Sequence, residues 1–188
     1  MDMLTILIAA AKQAQVPAAL LIAICSHETK INNVVVKNDG NGDSIGYCMV
    51  KHTTAQMMGY KGKAYGKLRK SKLFPGSVYE AVGAPEGLMD PETNARYAAL
   101  YLKKQYDRYG GDFCMAAAAY NAGKFMPSRK NARQPANRKY VDKIISVIGD
   151  TPEIRDLFNC RHSRKPAKAK HAEIEIDFLI RSMSSAKQ

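Results

Sequence analysis

The sequence predicts a mainly helical α+β domain with at most a small β-hairpin near residues 45–50. Three observations lead there. Apolar residues recur at three- and four-residue spacings in several segments, separated by Pro, Gly or Asn/Asp clusters. One segment, opened by Asp90-Pro91-Glu92, carries a full set of helix-start signals. Only one short stretch, residues 45–50, reads as extended.

The elements follow in order. Residues 3–14 form a first helix with Met3, Leu4, Leu7, Ile8 and Ala11 on one stripe. Val16-Pro17 breaks it, and Pro17 suits the first position of a second helix over about 17–29. Leu20, Leu21, Ile24 and Glu28 share a face of that helix. Residues 30–45 are polar and end in a Gly/Asn/Asp loop, and residues 53–58 start another helix. Residues 61–88 are basic and glycine-rich, which predicts mostly loop with a turn or two of helix. The helix opened by Asp90 runs to about Tyr109 and stops at Gly110-Gly111. Residues 113–120 form an alanine-rich helix, 121–136 a basic loop, and 139–148 a helix with Tyr140, Ile144, Val147 and Ile148 on one side. Residues 152–159 suit one short helix, 161–171 a basic linker, and 172–183 a final amphipathic helix. The reading is therefore one domain over 1–150 and a basic extension over 151–188, a candidate docking element.

Composition narrows the class. With 188 residues and 46% of them hydrophobic, the chain can bury an ordinary core. A formal net charge of +12 favours polyanionic surroundings: nucleic acid, anionic lipid or acidic wall polymers. No nucleic-acid motif accompanies the charge. Cys25, Cys48, Cys114 and Cys160 show no CxxC or zinc spacing, so free thiols are expected, with a disulfide left open by the even count. The opening run carries Asp2 where a secretion signal has positive charge, so no signal peptide is expected. The longest apolar run, residues 16–25, is too short to span a bilayer.

Glu28 is the leading chemical candidate. A carboxyl on an apolar helix face is dehydrated as that face packs, which raises its pKa. An acid kept protonated near neutral pH can protonate a glycosidic oxygen. The plain alternative is a helix-end glutamate turned to solvent. The neighbours bear on this choice: Ser26-His27-Glu28-Thr29, then Asp43-Ser44-Ile45-Gly46-Tyr47-Cys48-Met49-Val50, then Ala118-Ala119-Tyr120-Asn121-Ala122-Gly123, then Tyr140-Val141. This order resembles the soluble lytic transglycosylase (SLT) family, which shares its lysozyme-like fold with goose-type lysozyme. The resemblance covers about residues 1–150 and includes an Asp-Pro-x-x-Asn helix from Asp90.

The resemblance implies cleavage of peptidoglycan between N-acetylmuramic acid and N-acetylglucosamine, with closure of a 1,6-anhydro ring. Glu28 would be acid and then base, and neither cofactor nor metal is implied. Thr29, Ser44, Gly46, Met49, Tyr120, Asn121 and Tyr140 match positions that contact glycan or stand near the acid. Two of them depart from the family pattern. Thr29 replaces a serine but keeps the hydroxyl, and Met49 stands where the family commonly has glutamine. A thioether lacks an amide's paired hydrogen bonds.

Asp39-x-Asn41-x-Asp43 echoes the start of a calcium loop, but Ser44 and Val50 fill the positions that want Gly and Glu. Asp39 or Asp43 could alternatively hold a water for inverting hydrolysis, which needs a carboxyl separation of roughly 6.5–9.5 Å from Glu28. The remaining rivals are a muramidase and a non-catalytic wall- or DNA-binding virion protein. The expected setting is a phage virion or tail component acting on the host wall during DNA entry, with other virion proteins as partners through residues 151–188.

Overall fold

The computed structural model describes residues 1–132, 134–149 and 152–160. Their contacts divide the chain into two units, Met1–Ala14 with Cys25–Tyr101, and Gln15–Ile24 with the described chain from Leu102 on. Two helices, α2 (Ala18–Thr29) and α4 (Pro91–Arg108), run through both.

The first unit opens with α1 (Met3–Ala14). Asp2 caps it by accepting a bond from the Thr5 amide at 3.0 Å, a second role for the acid that argued against a signal peptide. Ile6, Leu7, Ala10, Ala11 and Ala14 are buried, while Leu4 is exposed. The buried stripe is thus rotated from the expected one, although the helix bounds agree.

The unit also holds a five-stranded antiparallel sheet, in the order β3-β2-β1-β5-β4. The strands are β1 (Val35–Val36), β2 (Ser44–Ile45), β3 (Val50–Lys51), β4 (Leu68–Lys70) and β5 (Val78–Ala81). The expected hairpin is present as β2 and β3, with Ser44 opposite Lys51 and Ile45 opposite Val50. The sheet is larger than that hairpin, because β4 and β5 lie in the segment expected to be mostly loop. These strands are too short to show a period, and backbone pairing sustains them. A short helix, α3 (His52–Met57), follows β3.

At the start of α4 the Asp90 carboxylate accepts the Thr93 amide at 2.8 Å. At its end, Gly111 N donates to Tyr106 O and Gly110 N to Asp107 O, and both glycines have positive φ. That is a Schellman ending, which glycine adopts without a Cβ penalty.

In the second unit, α5 (Phe113–Ala122) is capped by Asp112 through Met115 N at 2.8 Å and ends at the left-handed Gly123. Its alanine-rich length is buried to Tyr120. The buried face of α6 (Arg138–Ile148) is Val141, Ile144, Ile145 and Ile148, so Tyr140 and Val147 lie off it, half-buried. α7 (Pro152–Leu157) brings Ile154, Phe158 and Cys160 into this core, with Phe158 edge-on to Phe113 at 5.7 Å. The expected linker and last helix, residues 161–183, lie outside the described residues.

The free-thiol expectation is overturned. Cys25 pairs with Cys48 and Cys114 with Cys160, across 23 and 46 residues of chain. All four are buried, as core cysteines would be. Among the described residues no helix is long and apolar enough to cross a membrane.

Candidate active site

The proposed site residues fall into two groups, one in each unit. The first contains Glu28, Thr29, Ser44, Gly46 and Met49. The second contains Tyr120, Asn121 and Tyr140.

α2 explains the setting of Glu28. Every residue from Ala18 to Cys25 is buried, so this helix is apolar all round rather than along one stripe. Ser26, His27, Glu28 and Thr29 are half-buried, and the polar end emerges there. Lys30 and Ile31 then take positive φ, turning the chain sharply away. Glu28 therefore sits in the last turn of a helix whose preceding turns are sealed from water.

That helix end is fastened to the turn at residues 46–49. Cys25, three residues before Glu28, is bonded to Cys48. The Thr29 hydroxyl donates to the Tyr47 carbonyl at 2.7 Å and accepts the Asn32 amide at 3.1 Å. Thr29 thus serves as a tie whose hydroxyl is engaged by backbone.

Sequence reasoning assigned no role to Asn94, and the structure places it at the centre of this arrangement. Fully buried on α4, it accepts from Cys48 N at 3.0 Å and donates to Ile45 O at 2.9 Å and Leu88 O at 2.8 Å. One amide thereby bonds three backbone groups, one each from β2, the turn that follows it and residue 88. Gly46 is required by the same contact. Its φ is +74°, and a Cβ there would lie 2.3 Å from Asn94 Nδ2 and 2.8 Å from Leu88 O. The available signal was an asparagine at an apolar helix position, within the Asp-Pro-x-x-Asn segment.

Ser44 and Met49 differ in what they can offer. Ser44 is buried in β2 and donates to Asp39 at 2.6 Å, so its hydroxyl serves the loop. Met49 is half-buried at φ +52°, a left-handed conformation uncommon for a methionine. It closes the turn, its N–H donating to Gly46 O at 3.4 Å.

The calcium-loop echo resolves into protein contacts. Asp43 accepts from Lys37 Nζ at 2.9 Å, Tyr65 OH at 2.6 Å and Asn38 N at 3.0 Å. Burial alone would raise its carboxyl, but these hydrogen bonds and the Lys37 charge hold it down to about 2. Burial likewise pulls Lys37 down, and Tyr65 and Asp43 more than offset it, so its pKa is raised. These groups line an open cleft of about 570 Å³ with Gly66, Leu68 and Tyr79. Elsewhere, Asp112, Cys114 and Cys160 bring ligand-type atoms within 4.8 Å, but the two sulfurs are joined and the carboxylate caps α5.

In the second group, Tyr120 is buried near the end of α5 and Asn121 is exposed one residue on. Asn137 Nδ2 ties this end of α5 to the start of α6, donating to Ala118 O and to Asn121 Oδ1, both at 3.0 Å. The backbone N–H of Tyr140 donates to Asn137 O at 2.9 Å in the first turn of α6. Gly123, left-handed just beyond, confirms C-cap chemistry for the Asn121-Ala122-Gly123 run.

A mainly helical chain with a small antiparallel sheet, and one glutamate at the end of a buried helix, defines the class. The transglycosylase SLT domain model matches residues 5–143, and the chain belongs to that family. Among solved structures, it is similar to an inactive mutant of the lytic transglycosylase Slt from Pseudomonas aeruginosa, at 19% identity and a TM-score of 0.45. The match covers 83% of this chain and 22% of that one, so the chain spans about a fifth of that protein's length.

Proposed function

We propose that the chain is a peptidoglycan lytic transglycosylase in which Glu28 acts first as acid and then as base. The observation that carries this reading is the place of Glu28: half-buried, in the last turn of a sealed helix, with that turn tied to residues 46–49. Membership of the SLT family supplies the substrate class. Glu28 would protonate the oxygen between N-acetylmuramic acid and N-acetylglucosamine. It would then take the proton of the muramoyl 6-hydroxyl, which closes the 1,6-anhydro ring. The substrate's acetamido group can support the positive centre, so no second carboxylate is needed. Tyr120, Asn121 and Tyr140 are proposed to contact the glycan, and Met49 to alter a subsite. An inverting hydrolase is less well supported, because Asp43 and Asp39 already accept bonds from Lys37, Tyr65 and Ser44.

Mass analysis of the muropeptides released from purified wall tests this. Anhydro products, lighter by one water than reducing-end sugars, are expected. Glu28→Gln should lower their release by roughly 10²–10⁴-fold with an unchanged melting temperature. Reducing-end products alone would make the enzyme a muramidase, and a wild type that releases nothing would favour a wall- or DNA-binding role.

We extend the proposal to a catalytic domain over 1–150 and a basic extension over 151–188 that docks to phage particle proteins, with local wall opening during DNA entry. The support is the many phage-borne proteins within the resemblance. Purified particles should contain the chain, and its confinement to host cytosol would count against the extension.

A further inference from the structure

Residues 44–79 contain no aspartate or glutamate, yet they carry Lys51, Lys61, Lys63, Lys67, Arg69, Lys70 and Lys72. The last four lie on or beside β4, the edge strand of the sheet. Within this hairpin Arg69 reaches Glu80 at 3.6 Å. Lys67, Lys70 and Lys72 are exposed and lie within ion-pair distance of no carboxylate among the described residues.

The tip of the β4–β5 hairpin presents an apolar side chain amid this charge. Leu73 is 81% exposed, second only to the terminal Met1 among the large apolar side chains of the described residues. A floppy loop would explain that, but this loop is built. Ser71 is buried, and its hydroxyl donates to Glu80 at 2.6 Å while accepting the amides of Leu73 at 3.1 Å and Phe74 at 3.2 Å. Ser71 N also pairs with Val78 O at 2.9 Å, which extends the ladder to the tip. The hairpin holds Leu73 exposed directly after Lys72, three residues on from Lys70.

We propose that the β4–β5 hairpin is a membrane-surface contact: Leu73 enters the acyl boundary of an anionic phospholipid surface while Lys67, Lys70 and Lys72 meet its phosphates. Lysines on an edge strand can serve merely to block strand pairing. That role explains Lys70 and gives no reason for an ordered, outward leucine. A nucleic-acid polymer would use the same cations but offers no apolar phase for Leu73, and it favours exposed aromatic platforms. The nearby Tyr65 and Tyr79 are half-buried, with the Tyr65 hydroxyl held on Asp43. A peripheral contact of this kind combines buried apolar area with attraction to anionic headgroups. It stands independently of the glycan-cleaving reading.

Flotation of the full chain with phosphatidylcholine vesicles, with and without phosphatidylglycerol, tests the proposal. Binding is expected only with phosphatidylglycerol and should weaken with salt. Leu73→Asp, and Lys70→Glu with Lys72→Glu, should each weaken binding about tenfold or more. Lys104→Glu with Lys143→Glu, the same charge change on exposed sites of α4 and α6, should bind as wild type. The chain has no tryptophan, so Leu73→Trp gives a single reporter whose emission should shift to the blue on phosphatidylglycerol vesicles. The proposal fails if wild type does not prefer the anionic vesicles, if Leu73→Asp binds unchanged, or if the charge reversal on α4 and α6 costs as much. It also fails if the bound Leu73→Trp shows no shift, the result expected of a purely electrostatic polyanion site. Thermal melts of all variants should coincide, since each altered side chain is exposed.

Discussion

Two helix ends carry the candidate residues, and they are held in different ways. The Glu28 end of α2 is fixed by a disulfide, a threonine tie and the buried Asn94 amide behind the facing turn. The Asn121 end of α5 is fixed by a left-handed glycine and by Asn137, which is only half-buried. The first arrangement restrains a turn that includes a left-handed methionine, a conformation that persists only where its surroundings over-determine it. The second uses ordinary capping chemistry, which any helix end requires. A covalent bond and a fully buried amide therefore restrain the turn beside the acid, while a glycine cap and the Asn137 side chain hold the Asn121 end.

The largest structural effect should come from the Gly46 and Asn94 contact. Gly46→Ala must seat a Cβ against Asn94 at positive φ, and it should cost about 3 kcal/mol or more in chemical denaturation. Asn94→Ala removes three hydrogen bonds to the backbone of buried residues and should cost about 3–4 kcal/mol. The double variant should fall short of the sum by about 1 kcal/mol, because the shortened side chain makes room. Full additivity would mean that the two residues do not act as one unit.

Next come the disulfides. Cys25→Ala with Cys48→Ala should cost about 3 kcal/mol and also lower wall clearing, since the turn facing the Glu28 helix end is loosened. Cys114→Ala with Cys160→Ala should cost a similar amount and leave clearing by the folded enzyme unchanged. Equal loss of clearing in both pairs, compared well below their melting temperatures, would erase the proposed contrast.

Acid should act on the sheet side of the first unit. The Asp43 carboxyl sits lower in the folded chain, at about 2, than its ordinary value of 3.8. A depressed acid stabilises the fold fully above the unfolded value, and that contribution is lost as pH falls from about 4 to 2. The loss should be on the order of 1–2 kcal/mol and absent in Asp43→Asn, as read from melts across that range. The smallest effect is expected at Asn137→Ala, about 1 kcal/mol, with a larger change in KM than in kcat if Asn121 touches glycan.

Local signals in the sequence were sufficient for the helices of the described residues. Asp90-Pro91 and Gly110-Gly111 delimit α4 because capping is a matter of a few neighbouring residues. The ordered motifs around Glu28, Gly46, Tyr120 and Tyr140 were sufficient for the family. Faces were less legible. The buried stripes of α1 and α6 are rotated from the expected ones, since short apolar side chains such as Ala10 and Ala14 can be buried as readily as Leu4. Strands β4 and β5 were missed because their few residues carry no period, and Arg69 and Lys70 face water on an edge strand.

What the sequence determined by itself was a mainly helical chain, the ends of its described helices to within about two residues and Glu28 as the acid to test. Tertiary structure alone decided the cysteine pairs, the five-strand order and the task of Asn94. Each of these depends on which distant segments meet. Cys25 and Cys48 are 23 residues apart in the chain and 4.2 Å apart at Cα, a proximity that no local propensity encodes.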